Sequence, residues 1–271
     1  MSKTYVITGS TSGIGNELTK YFSKDNIVFA GYRNEKCLED LKAISPNVIP
    51  FYIDMEKPET IALAAEFIRT KTDKVDTIIN VAGCVIAGAV ENIKVRDIRK
   101  QFEVNTFAHL DFSQKLLSML VNGKIINISS MASFGIFPFV SPYCASKRAL
   151  DILFNSLSLE SGVTVVSVKP GVIATPLWDK SIELNKSTIE NCGNFECEMK
   201  YLVQNAHENG KNGLNVVNVV NLIIKIDKMK KPKPSYTVGL DAKFAQMISR
   251  LPFEVQNKLV KFALKRKFGK Y

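Results

Sequence analysis

Tyr143 and Lys147 stand four residues apart in Tyr143-Cys144-Ala145-Ser146-Lys147. On a helix that spacing puts both side chains on one face. A free tyrosine has a pKa near ~10, too high for ready proton exchange at neutral pH. An ammonium one turn away favours the phenolate and moves the phenol toward the working range. Ser130 ends the run Lys124-Ile125-Ile126-Asn127-Ile128-Ser129-Ser130, and its hydroxyl could polarise a carbonyl beside the phenol. Neighbouring strand residues face opposite ways, so Ser129 is expected to point away. The same spacing recurs at Tyr32 and Lys36, in a loop with no serine partner.

A second group of residues suits phosphate. Thr8-Gly9-Ser10-Thr11-Ser12-Gly13-Ile14-Gly15 carries the spacing G-x-x-x-G-x-G between a strand-like run and a helical pattern. Glycines permit a tight turn, and the helix N-terminus offers free N–H groups and a positive dipole end to a diphosphate. The second strand ends Ala30-Gly31-Tyr32-Arg33-Asn34, without the acid that would hydrogen-bond the adenosine ribose and repel a 2′-phosphate. Arg33, aided by the Ser10 or Ser12 hydroxyl, could pair with that phosphate. NADP(H) is therefore expected over NAD(H), which stays as the alternative. Asp54 could accept from the adenine amino group, or be merely a turn acid.

These residues need a frame that brings strand ends together. Strand runs are read at Thr4–Thr8, Ile27–Ala30, Val48–Ile53, Thr77–Asn80, Lys124–Ser129, Val163–Val168 and Ser235–Val238. Helical patterns alternate with them at Gly13–Ser23, Glu35–Ile44, Pro58–Arg69, Asp97–Leu120, Tyr143–Ser161 and Leu214–Lys228. Such alternation predicts an α/β fold: a Rossmann-type, doubly wound, parallel seven-stranded sheet with a C-terminal helical extension. The whole chain, 1–271, is read as one nucleotide-binding domain, with 241–271 its basic extension. Residues 171–213 have weak periodicity and could form a lid over the cleft.

Composition narrows the choice of partners. With 46% hydrophobic and 23% charged residues, the chain is neither disordered nor a small disulfide-stapled protein. Five cysteines without C-x-x-C spacing and two histidines predict no metal site. There is no signal-peptide pattern and no apolar run of the ~18 residues a membrane span needs, so a cytoplasmic protein is expected. The net charge of +10 lies entirely in residues 225–271, which hold 13 basic and 3 acidic side chains. Residues 1–224 hold 23 of each. The body thus gives no sign of nucleic-acid binding. In the tail, helical patterns at Ala242–Arg250 and Pro252–Phe268 place Val255, Leu259, Phe262 and Ala263 at helical spacing among lysines. Such a helix more often packs on its own body with lysines in solvent, the alternative being contact with an anionic membrane.

Taken together, the chain resembles the short-chain dehydrogenase/reductase family. The matching pieces are the glycine turn, Asn80-Val81-Ala82-Gly83, Asn105, Ser130, Tyr143…Lys147 and Pro170-Gly171 with Thr175. The resemblance implies that Tyr143 is the general acid or base and that Lys147 lowers its pKa and holds the nicotinamide ribose. Ser130 would orient the substrate oxygen, and Asn105 would hold a water in the proton relay. Gly9, Ser10, Ser12, Gly13, Ile14, Gly15, Arg33, Asp54, Asn80, Ala82 and Gly83 would meet or brace the cofactor. Pro170, Gly171, Ile173 and Thr175 would flank the nicotinamide. Val81 departs mildly from the family, in which a second Asn is common there.

The implied activity is NADP(H)-dependent interconversion of a carbonyl and an alcohol. The apolar residues of Met131–Val140, with Leu177 and Trp178, suit a steroid-, retinoid- or acyl-like substrate. They could equally be core or subunit contacts. The tail fits retinol- or steroid-dehydrogenase-like members, and the family favours homodimers or homotetramers. A non-catalytic nucleotide sensor or membrane-surface adaptor is the alternative from another class. A pure binder, however, needs no Asn105, Ser130, Tyr143 and Lys147 set. His109 is read as a buried helix histidine.

Overall fold

A computed structural model describes residues 2–270. Seven parallel strands form one sheet: β1 Thr4–Ile7, β2 Ile27–Tyr32, β3 Val48–Tyr52, β4 Thr77–Asn80, β5 Lys124–Ile128, β6 Thr164–Pro170 and β7 Ser235–Val238. Their order is β3-β2-β1-β4-β5-β6-β7. The chain direction across the sheet reverses between β1 and β4, and a crevice opens there at the strands' carboxyl ends.

Residues of one strand alternate between two apolar layers. Val6, Ile78, Ile125 and Val165 enter one core with Phe29, Phe112 and Phe154. Tyr5, Ile7, Ile79, Ile126 and Val166 enter the other with Leu18, Val219 and Ile223. Strands buried on both faces need apolar side chains at consecutive positions, which explains runs such as Val6-Ile7 and Ile125-Ile126.

Helices cover both faces. α1 (Gly13–Phe22) follows β1, α2 (Leu38–Lys42) follows β2 and α3 (Pro58–Arg69) follows β3. Pro58 is the first residue of α3, where its fixed φ is already helical. After β4 come α4 (Val95–Phe102) and α5 (Ala108–Leu116), joined by a π-helical turn at Glu103–Phe107. The helix expected over 97–120 is therefore interrupted, and the wide turn lies at Asn105. α6 (Ser141–Ser161) ends at Gly162, whose φ of +74° caps the helix. β6 runs two residues beyond the expected Val168, to Pro170.

Residues 171–213 are mostly helical: α7 (Leu177–Leu184), α8 (Lys186–Glu190) and α9 (Glu196–Asn212). Their periodicity is faint in the sequence because they bury so little. α7 and α8 have no fully buried residue, and α9 buries only Glu198, Met199 and Ala206. α10 (Val216–Lys228) then packs on α1, followed by β7, α11 (Leu240–Ile248) and α12 (Phe253–Phe268). Among the described residues no helix is long and apolar enough to cross a membrane.

The tail does not pack as expected. Val255, Leu259 and Phe262 are 39%, 43% and 67% exposed. α12 meets the body instead through half-buried Gln256, Val260, Leu264 and Phe268. Phe268 packs on Phe139 and Tyr201, and Lys267 lies over the Tyr201 ring. The body offers aromatic rings for the C-terminal end of the helix, but no groove for its most apolar face.

Candidate active site

A cleft of about 530 Å³ opens at the carboxyl ends of the central strands. Gly9, Thr11, Ser12, Gly13, Ile14 and Arg33 line it, as do Ala82, Gly83, Tyr143, Lys147 and Thr175. The glycine turn is shaped by close approaches. Gly9 has φ +66°, and a Cβ there would lie 3.0 Å from the Ala82 backbone. A Cβ on Gly15 would strike the Gly9 carbonyl oxygen. Thr8 ties the turn to β4, its hydroxyl accepting from the N–H groups of Val81 (2.9 Å) and Ala82 (3.2 Å). α1 begins here with no acid in its first turn and no side-chain cap on Ser12, so its N–H groups and dipole face the cleft uncompensated. This cradle fits the diphosphate of a dinucleotide, because a Cβ at any of its three glycines would meet an atom within 3.4 Å.

The remaining predicted residues divide into those at the cleft and those behind it. Ser10 is fully buried and its hydroxyl donates to the Ile7 carbonyl, so it serves the turn and is directed away from any 2′-phosphate. The Ser12 hydroxyl accepts from Lys180 on α7 at 3.2 Å. Asp54 is buried and accepts from the Glu56 N–H, the turn-acid arrangement. Asn80 does not line the cleft; its amide donates to Asn127 (2.8 Å) and Ser113 (3.2 Å), bracing β4 against β5 and α5. Pro170 and Ile173 are buried behind the wall. Gly171 lies against the Asp241 carboxylate, which accepts from the Val172 N–H.

Arg33 is 65% exposed and carries a partner that the sequence reading missed. Its guanidinium lies 3.3 Å from Glu56, whose other oxygen is 3.0 Å from Lys100. One carboxylate between two cations leaves this end of the cleft net positive.

At the other end, β5, α6 and the π-helical turn converge. Tyr143 hydrogen-bonds the Ser130 hydroxyl, which also accepts from the Ala132 N–H at 3.1 Å. The Ser129 hydroxyl is buried without a partner among the described residues, and Ser129, expected to point away, lines the cleft where Ser130 does not. The Lys147 ammonium donates to the Ile128 carbonyl at 2.7 Å and lies 6.0 Å from the Tyr143 ring centre. Burial pushes the phenol up to about 12, with only the Ser130 hydrogen bond opposing. Burial also pulls Lys147 down to about 8, against the pull of Asp151 one turn further along α6. The expected lowering of the phenol by the lysine is thus absent in this geometry.

Asn105 is fully buried. Its side chain accepts from the Cys84 N–H (2.9 Å) and donates to the Cys84 carbonyl (3.0 Å) and the Ser146 hydroxyl (3.2 Å). Gln101, unremarked in the sequence, repeats this grip one turn earlier, accepting from Ile86 N–H at 2.5 Å and donating to the Cys84 carbonyl. Polar residues four apart on a helix face that turns inward are the signal that could have found it. Gly83 lies between the two halves; a Cβ there would be 3.3 Å from the Asn105 oxygen and 3.7 Å from the Lys147 ammonium. His109 is buried, and its Nε2–H donates to the Ala82 carbonyl at 2.8 Å. Burial holds its pKa down to about 4, so the ring is neutral.

The expected substrate wall is only partly here. Leu177 lines the cleft with Val85 and Leu184. Trp178 donates to the Ile173 carbonyl, and no side chain of 131–140 reaches the cleft. Phe134 lies beneath the Lys169 ammonium at 4.6 Å, while Phe139 packs on Phe195. Lys169 pairs with buried Asp151 at 2.7 Å, so these aromatics support the wall from behind. No cluster of residues able to hold a metal occurs among the described residues.

Known proteins share both sequence and shape with this chain. The family model for short chain dehydrogenases matches residues 3–186. An NADPH-dependent 3-dehydrocapnine reductase from Ornithobacterium rhinotracheale is 32% identical over 65% of this chain and 67% of its own length. Dehydrogenase/reductase SDR family member 7B of Mus musculus is 35% identical over 64% of this chain and 58% of its own. A short-chain dehydrogenase/reductase from Burkholderia phymatum, solved in complex with NAD, superposes with a TM-score of 0.79 at 19% identity over 95% of each chain. The chain belongs to the short-chain dehydrogenase family, oxidoreductases that act on alcohol and carbonyl groups with NAD(P)(H).

Proposed function

We propose that the protein is an NADP(H)-dependent oxidoreductase interconverting a carbonyl and an alcohol on an apolar substrate of steroid, retinoid or acyl type. The observation that carries this reading is a single cleft with a glycine cradle and Arg33 at one end and Tyr143 with Lys147 at the other. The nicotinamide, when bound, supplies or accepts hydride. In the direction of reduction Tyr143 gives its proton to the substrate oxygen, which the Ser130 hydroxyl holds beside it. A phenol at about 12 is fully loaded with that proton at neutral pH. Lys147, close to Gly83, holds ribose hydroxyls. Asn105 keeps Cys84 and Ser146 in register, and with them the wall against which Tyr143 stands.

The net positive cluster of Arg33, Lys100 and Glu56 supports a 2′-phosphate. The NADPH-dependent relative agrees with it, whereas the NAD complex of the Burkholderia protein marks the competing choice. Val85, Leu177 and Leu184 in the wall support an apolar substrate.

The test is NADPH consumption against a panel of steroids, retinoids, acyl ketones and short ketones. Tyr143→Phe is expected to lower turnover by ~10²–10⁴-fold and to spare NADPH affinity. Full activity in that variant overturns the mechanism. NADH binding as tightly as NADPH, with Arg33→Ala leaving NADPH affinity unchanged, overturns the cofactor assignment.

A further inference from the structure

The last two helices carry their apolar stripes on the outside. Leu240, Phe244 and Met247 recur at i, i+4 and i+7 on α11 and are 83%, 61% and 56% exposed, and Leu251 in the turn that follows is 38% exposed. Val255, Leu259 and Phe262 continue the pattern on α12 at i, i+4 and i+7, also exposed. Helical spacing of this kind ordinarily marks the face that packs on a core. Here the inward faces are made by Ala242 and Ala245 on α11 and by Gln256, Val260 and Leu264 on α12. An exposed apolar surface organised in this way marks an interaction site.

The charge beside the stripes chooses the occupant. Lys243, Lys258, Lys265 and Arg266 stand exposed on the same two helices, with Arg250 exposed in the turn between them, and among the described residues none of them pairs with a carboxylate. Residues 225–271 supply the whole net charge of +10. A second copy of the chain would bring like charge against like charge around the stripes. An anionic lipid surface satisfies both features, taking apolar side chains below the headgroups and lysines among them. Neither helix is long and apolar enough to span, so the pair can only lie in the interface.

We propose that α11 and α12 dock this protein on the surface of an anionic lipid bilayer. The surface is independent of the catalytic reading, since none of its residues lines the cleft. It also has a place relative to the site. α11 packs on the turn Met131–Phe134 that follows Ser130, and a Cβ on Gly135 would lie 3.8 Å from Gln256 of α12. The docking helices would therefore stand between the bilayer and the turn that follows Ser130.

Sedimentation of the full chain with phosphatidylcholine vesicles, with and without phosphatidylglycerol, tests this. Binding to the anionic vesicles should be about tenfold or more stronger and should fall as salt rises. Phe244→Ser with Phe262→Ser should lose about tenfold of it, with melting temperature and NADPH affinity unchanged. If that pair melts early, Leu240→Ser with Leu259→Ser carries the same test. Equal binding to both vesicle types, no binding, or a self-association that the serine variants abolish would each overturn the proposal. Because vesicle binding needs no turnover, its failure is separate from failure of the oxidoreductase reading.

Discussion

The glycine turn and the C-terminal helices are opposite solutions to placing apolar and polar groups. Around the turn, Val6, Ile7 and Ile79 are fully buried, and Thr8, Ser10 and Asn105 have found hydrogen-bond partners inside. In α11 and α12 the largest apolar stripe stands outside, Val260, Leu264 and Phe268 are half-buried against the body, and only Ala242 is fully buried. The first region is constrained by its own chain. The second would be completed by the lipid surface proposed above. A residue's tolerance to change should therefore depend on which region holds it, more than on how hydrophobic it is.

The largest effect is expected at Gly15. An alanine Cβ would strike the Gly9 carbonyl, part of a backbone already fixed against Ala82. Overpacking of this kind costs ~1–3 kcal/mol, and Gly15→Ala should sit at the upper end in a denaturant titration and weaken NADPH binding. Gly162→Ala is the matched control: with open space around it and φ +74°, only the ~1–2 kcal/mol of a left-handed residue applies. Equal losses for the two would break the argument from close approach.

His109 probes the same half through pH. Its folded pKa of about 4 is below the ordinary 6.5, so its contribution is complete above pH 6.5 and drains away as pH falls toward 4. By linkage the loss amounts to ~3 kcal/mol. His109→Gln cannot take up that proton, so the stability gap between wild type and variant should shrink over this window. A gap that stays constant with pH would show that His109 is not kept neutral by its surroundings.

Lys147 should give a smaller effect. Burial lowers it to about 8, so above that pH the free protein loses the ammonium proposed to hold the ribose. NADPH affinity should then fall by up to ~10-fold per pH unit. Isothermal titration from pH 7 to 10 would show it, and a flat profile would sharpen the site by removing the lysine from binding. In the tail, Phe244→Ser should shift stability by no more than ~0.5 kcal/mol, because the ring is already 61% exposed. A loss as large as that at Gly15 would erase the contrast between the regions.

Much of the first region was legible because local chemistry there repeats the global arrangement. Alternating strand and helix patterns announced a parallel sheet covered by helices, and the glycine spacing after β1 announced a tight turn. The grouping of Ser130, Tyr143 and Lys147 came from the family resemblance, whereas the strand order has no signal in near-neighbour spacing. Glu56 and Gln101 stayed hidden because their importance lies in what they touch across the fold. The π-helical turn at Asn105 was hidden too, since a widened turn leaves the helical spacing nearly intact. α7 to α9 were missed because helices that bury little need little periodicity.

The sequence by itself determined the elements and their chemistry: which runs are strands, where the chain can turn, which phenol and ammonium share a helix face, and where the charge gathers. These are properties of near neighbours, and spacing along the chain encodes them. Only the tertiary structure decided which charges meet, which hydroxyls face inward, and that the periodic apolar faces of the tail look outward. Burial and electrostatic pairing depend on distances through space. A helical stripe records that one face of α11 or α12 seeks an apolar surface, but the body's shape determines whether that surface belongs to the protein.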